Sequence, residues 1–135
     1  MRMFMMAMLF ALPVGAGAQE WAMGGYDAVA FLNQDQAVPG KAGIVTYWKG
    51  QNWHFASEEN RSKFEMNPRA YAPGFGGLCV VTLSEGRAEP GNPRYFVTIG
   101  NRVYLTGSES KLQKLKKNPK LFLMEAKTVW LRLFP

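Results

Sequence analysis

One cysteine in 135 residues, Cys79, means that no internal disulfide can brace this chain. Small domains built for an oxidising compartment often depend on such staples. Here packing alone must suffice. With 47% hydrophobic residues, nine Phe, five Tyr and four Trp, the chain has the material for one core. The cysteine itself has four readings: a buried apolar filler, a free thiol, an intermolecular link or a metal ligand.

The oxidising compartment is inferred from the N-terminus. Arg2 supplies a positive start, Met3 to Val14 is uncharged and mostly apolar, and Ala16-Gly17-Ala18 is a small-x-small cleavage site. Residues 1–18 therefore read as a signal peptide cut near Ala18, which sends the mature protein to the periplasm or out of the cell. The run is too short, and too broken by Pro13, Gly15 and Gly17, to suit a spanning helix of roughly 17–25 apolar residues. Five of the eight methionines leave with it, so the mature chain keeps Met23, Met66 and Met124.

Charge is unevenly placed. Residues 19–110 hold eight basic and nine acidic groups, whereas residues 111–135 hold seven basic groups and one acid, Glu125. A nucleic-acid-binding domain would carry its basic stripe across the fold, so no nucleic-acid partner is expected. The tail reads as a basic helical extension. Its residues 111–134 mix leucines and aromatics with lysines and could touch anionic lipid, although an apolar stripe docked on the domain, with its lysines in water, explains the same pattern.

Local signals give a mixed α+β reading: a small single domain of two β-hairpins with short helices. Asp27 is placed to cap a helix over Ala28 to Leu32. Ile44 to Trp48 and Asn52 to Ala56 form one hairpin, with Trp53 and Phe55 on the core face and His54 on the other, toward solvent. Ser57 caps a helix that runs to Met66 and stops before Asn67-Pro68. Tyr95 to Ile99 and Arg102 to Leu105 form a second hairpin around Gly100-Asn101. Ser108 caps a helix to Lys117, Asn118-Pro119 breaks it, and a last helix covers Lys120 to Trp130. Leu78 to Leu83 fits either a strand, from its β-branched residues, or a short helix ended by Gly86. No internal repeat is evident.

Two residues could carry chemistry. Cys79 follows Gly76-Gly77, and a helix beginning there would present its unpaired first-turn amides to the sulfur. His54, the one histidine, could act as a base or a metal ligand. There is no CxxC, HxxxH, CxxCH, GxSxG, GxGxxG or phosphate loop. Cys79, His54 and a methionine could still make a soft site for copper.

Tyr47, Trp53-His54-Phe55-Ala56-Ser57, Glu59-Asn60-Arg61, Phe64, Asn67-Pro68, Tyr71-Ala72-Pro73, Gly76-Gly77 and Cys79 form a spaced pattern that resembles the YHS domain family. More narrowly, the chain resembles the exported YHS domain-containing (seleno)proteins, whose opening segment is similar to Gly25 to Phe31 and whose second hairpin is similar to Arg102 to Leu105. The resemblance covers residues 24–106 and makes 19–110 a YHS-like domain. It implies a redox or metal-binding role for Cys79, because the group carries cysteine or selenocysteine there. Metal-binding relatives have further cysteines where this chain has Ala56 and Asn60, so their multi-cysteine site does not carry over. Leu78 stands where the group has an aromatic, and Val80 where it has alanine. Two functions follow as expectations. In one, Cys79 is a redox thiol, served by a small thiol or a protein redox partner, or a ligand to a soft metal. In the other, the chain is a non-catalytic binding module with Cys79 in the core and the loop Tyr71 to Phe75 as its contact surface.

Overall fold

The computed structural model describes residues 21–135, so the signal-peptide reading of 1–18 lies outside the described residues. Among the described residues the architecture is α+β, with six helices and two separate two-stranded antiparallel sheets. After a 3-10 turn at Ala22–Gly25 come α1 (Ala28–Gln34), β1 (Lys41–Trp48), β2 (Gln51–Phe55), α2 (Glu58–Met66) and α3 (Pro68–Tyr71). A second 3-10 turn at Gly74–Gly77 leads to α4 (Val80–Ser84), β3 (Asn92–Ile99), β4 (Arg102–Thr106), α5 (Glu109–Lys117) and α6 (Pro119–Leu133). An isolated hairpin is only marginally stable in water, and here helices cover each one.

Local chemistry sets the boundaries. Asp27, Ser57 and Ser108 cap α1, α2 and α5 through side-chain oxygens. Asn67-Pro68 and Asn118-Pro119 end one helix and start the next, with proline in the first turn where its missing N–H costs nothing. Lys49-Gly50 and Gly100-Asn101 both have positive φ at two successive residues, the two-residue turn that matches strand twist. The ambiguous segment is the helix α4, with Cys79 at its N-cap. Val80, Val81, Thr82 and Leu83 are all buried, so packing overrides their β-branched preference.

The order of elements occurs twice, which corrects the reading that the chain holds no internal repeat. Met23, Gly24 and Gly25 have φ of 55, 60 and 85°, and Phe75, Gly76 and Gly77 have 54, 62 and 81°. The amide of Asp27 donates to the Val38 carbonyl at 2.8 Å, and that of Cys79 to the Glu89 carbonyl at 2.8 Å. Gly40 N–H reaches Gly25 O at 2.8 Å, and Gly91 N–H reaches Gly77 O at 2.9 Å. Both hairpins even slip register at the same place, between Lys41 and Val45 and between Asn92 and Phe96. Gly40 and Gly91 are matched for a steric reason. A Cβ on Gly40 would fall 2.6 Å from the His54 carbonyl carbon, and one on Gly91 would collide with Leu105.

Each half has its own core. Trp53, Phe55 and Phe64 pack with Val29 in the first half, and Cys79, Val80, Leu83, Leu115, Ala126 and Val129 in the second. The C-terminal segment thus docks its apolar stripe as α5 and α6, leaving Leu121, Met124 and Leu131 outside. A third cluster joins the halves: Phe31 of α1 lies against Val103 and Leu105 of β4, and edge-on to Phe96 of β3 at 4.8 Å. No helix among the described residues is long and apolar enough to cross a membrane.

Candidate functional site

Cys79 is 1% exposed, and its surroundings are best understood from its counterpart. In the first half the same slot holds Asp27, fully buried. Its carboxylate accepts from the amides of Val29 (2.9 Å), Ala30 (3.3 Å) and Ala56 (2.9 Å), and from the Asn60 side chain (2.8 Å). In the second half the Cys79 sulfur accepts from the Gly107 amide and the Thr82 hydroxyl, each at 3.2 Å. Gly107 matches Ala56, and Lys111 matches Asn60. The Lys111 ammonium donates to the Thr82 hydroxyl at 3.2 Å, completing a chain from lysine to threonine to sulfur. Aligning Met23-Gly-Gly-Tyr-Asp-Ala-Val with Phe75-Gly-Gly-Leu-Cys-Val-Val is the sequence signal for this equivalence.

A thiol this deep reacts only when the protein opens locally. Alkylation of Cys79 in the folded protein is therefore expected to be at least about 100-fold slower than in denaturant. Timed labelling with a neutral maleimide, Cys79→Ser as the blank, checks this. Comparable rates in both states would mean that the sulfur is reached in the native fold.

His54 does not face solvent as the hairpin alternation predicts; it is 4% exposed. The alternation treats the hairpin as covered on one face only. Trp21, which bridges to Asn52 on β2, stacks on the imidazole with centroids 3.5 Å apart and covers the other face. Nδ1 donates to the Lys41 carbonyl at 3.1 Å, and Nε2 is buried with no hydrogen-bond partner among the described residues. Cys79 and His54 lie in different halves; of the three remaining methionines, Met66 and Met124 are exposed on α2 and α6, and Met23 is half-buried against the first-half core and the cluster that joins the halves. Among the described residues no three His, Cys, Asp or Glu side chains group together to hold a metal.

The concave site lies elsewhere, along the seam between the halves. A cavity of about 730 Å³ opens there, within the range of small-molecule sites. Its walls are aromatic: Trp48 and Trp53 come from the first hairpin, Tyr104 from β4, Trp130 from α6 and Phe75 from the glycine turn. The turn sequence explains how these rings approach. A Cβ on Gly74 would collide with the Tyr104 ring, and one on Gly76 would touch Trp130 at 3.5 Å. Phe75 then sits 5.8 Å from Tyr104 and 6.0 Å from Trp130, while Trp53 Nε1 donates to the Trp48 carbonyl at 2.9 Å.

The same cavity collects four cations, Lys49, Arg69, Arg102 and Lys127, and no carboxylate. None of the four belongs to an ion pair among the described residues; the salt bridges there use Arg61, Lys63 and Arg87. Arg102 is fixed by donating to the Ala72 carbonyl across the seam at 3.2 Å, and Lys49 lies over the Trp48 ring at 4.9 Å. Uncompensated cations beside low-dielectric aromatic walls focus a positive potential. Of the loop Tyr71 to Phe75, Ala72, Pro73, Gly74 and Phe75 line the cavity, while Tyr71 packs on the first-half core. The cations escape sequence reasoning because they come from a turn, α3, β4 and α6, and share no motif.

No family model matches this chain, and neither a curated protein nor a solved structure was found to match it.

Proposed function

We propose that this chain is an exported YHS-domain protein that acts as a non-catalytic binding module for a small organic anion. The observation that carries the reading is the aromatic seam cavity with four cations and no acid. Rings supply broad apolar contact, and each charge-assisted hydrogen bond to a ligand oxyanion fixes its orientation. The buried Cys79 then serves the second-half core rather than a reaction.

Naphthalene-2-sulfonate is a suitable probe, with naphthalene-2-methanol as its neutral match. Three of the four tryptophans line the cavity, so intrinsic fluorescence reports occupancy. The sulfonate is expected to bind at least about tenfold more tightly than the alcohol, and Arg69→Gln or Lys127→Gln to weaken it by about three- to tenfold each. Equal affinity for acid and alcohol, or no saturable quenching, would remove the reading.

The alternative keeps Cys79 as a redox thiol or soft-metal ligand, resolved by a small thiol or a protein redox partner. What favours it is the pair of donors on the sulfur, the Gly107 amide and the Thr82 hydroxyl, the latter itself accepting from Lys111. The labelling experiment above separates the two readings.

A further inference from the structure

The cationic cavity does not end at the aromatic rings. A second cavity of about 570 Å³ adjoins it, and the two share Gln51 and Gly76 as a common rim. The second space contains no charged residue. Trp21, Leu78, Pro90 and Pro93 give it apolar walls, and four glycines leave backbone where side chains would otherwise fill the groove. Gly91 could not carry a side chain without striking Leu105, and Gly76 and Gly77 are held at positive φ, so this backbone stays bare for reasons internal to the fold. One end of the seam therefore attracts negative charge, and the other carries no charge and sets apolar side chains beside bare backbone.

We infer that the ligand is an elongated amphiphilic anion of the long-chain carboxylate type. Its charged head sits among Arg69, Arg102 and Lys127, and its apolar tail passes Gln51 and Gly76 into the second cavity. This rests on the organic-anion reading of the first cavity and adds the ligand's shape and polarity to it. Charge complementarity sets the orientation: four cations mark the head end, and a reversed ligand would leave them unpaired while burying its carboxylate where no cation stands.

The test is a titration of the mature protein with hexanoate, octanoate, decanoate and dodecanoate below their micellar range, alongside naphthalene-2-sulfonate. Each methylene that enters the second cavity should tighten binding by about two- to fourfold. Pro93 is half-buried on β3 and lines the second cavity but not the first, so Pro93→Gln sets a polar amide in the path of the tail and leaves the anion site alone. That variant should still bind naphthalene-2-sulfonate and lose the gain with chain length. If the sulfonate binds but carboxylate affinity stays flat with length, the elongated ligand is wrong and the anion site stands. A length gain untouched by Pro93→Gln would put the tail elsewhere and overturn the placement. If neither the sulfonate nor any carboxylate binds, both readings fall together.

Discussion

Phe31→Ala is expected to lower the stability of the protein by about 3–5 kcal/mol, at the upper end for a core truncation. The ring is fully buried and is the largest side chain in the cluster that joins the two halves. Removing it deletes the edge-on contact with Phe96 and opens a void against Val103 and Leu105. The effect should differ in kind from that of Leu115→Ala, which hollows the second-half core alone. Phe31→Ala frees the halves from each other, so urea unfolding should broaden or split into two transitions. Leu115→Ala should keep one transition at a lower midpoint. A loss below about 1 kcal/mol with an unchanged transition would show that the seam contributes little to holding the halves. Because the cavity draws its walls from both halves, the same variant should also weaken the sulfonate probe.

Asp27→Ala should cost about 3–5 kcal/mol, since it strands buried donors as well as removing a cap. Two amides of α1 lose their partner, and the Ala56 amide and the Asn60 side chain are left facing a void. The matching change in the second half, Cys79→Ala, should cost much less, about 1–2 kcal/mol. Sulfur is a weak acceptor, so the Gly107 amide and the Thr82 hydroxyl, which donate to it, lose less than the donors on a buried carboxylate. Chemical denaturation of the two variants side by side measures the contrast. Equal losses would mean that the slot depends on shape filling rather than on hydrogen bonding.

These two sites also show what the sequence could and could not reveal. Everything governed by a few neighbouring residues was legible: the caps at Asp27, Ser57 and Ser108, the stops at Asn67-Pro68 and Asn118-Pro119, and the turn at Gly100-Asn101. The repeat was not, because only its backbone requirements survive in both copies. Gly24-Gly25 matches Gly76-Gly77, and Pro39-Gly40 matches Pro90-Gly91. Core residues are free to differ once the volume is balanced, so Phe64 is answered by Leu115, Trp53 by Tyr104 and Phe31 by Leu83. His54 was misplaced for a related reason. A strand's alternation assigns faces, but only the distant Trp21 decides that both faces are covered. The four cations of the cavity meet only when the halves close on each other.

Two like halves on one chain also govern how two molecules could exchange parts. Ala72, Pro73 and Gly74 link the halves and lie on the wall of the cavity itself. If that link opened, the first half of one molecule could dock on the second half of another through the same Phe31 contact, giving a closed, symmetric pair. Each cavity in such a pair would again be complete, with Trp48, Lys49 and Arg69 from one chain and Arg102, Tyr104 and Lys127 from the other. Swapping would thus change the size of the particle and leave the number of sites per chain unaltered.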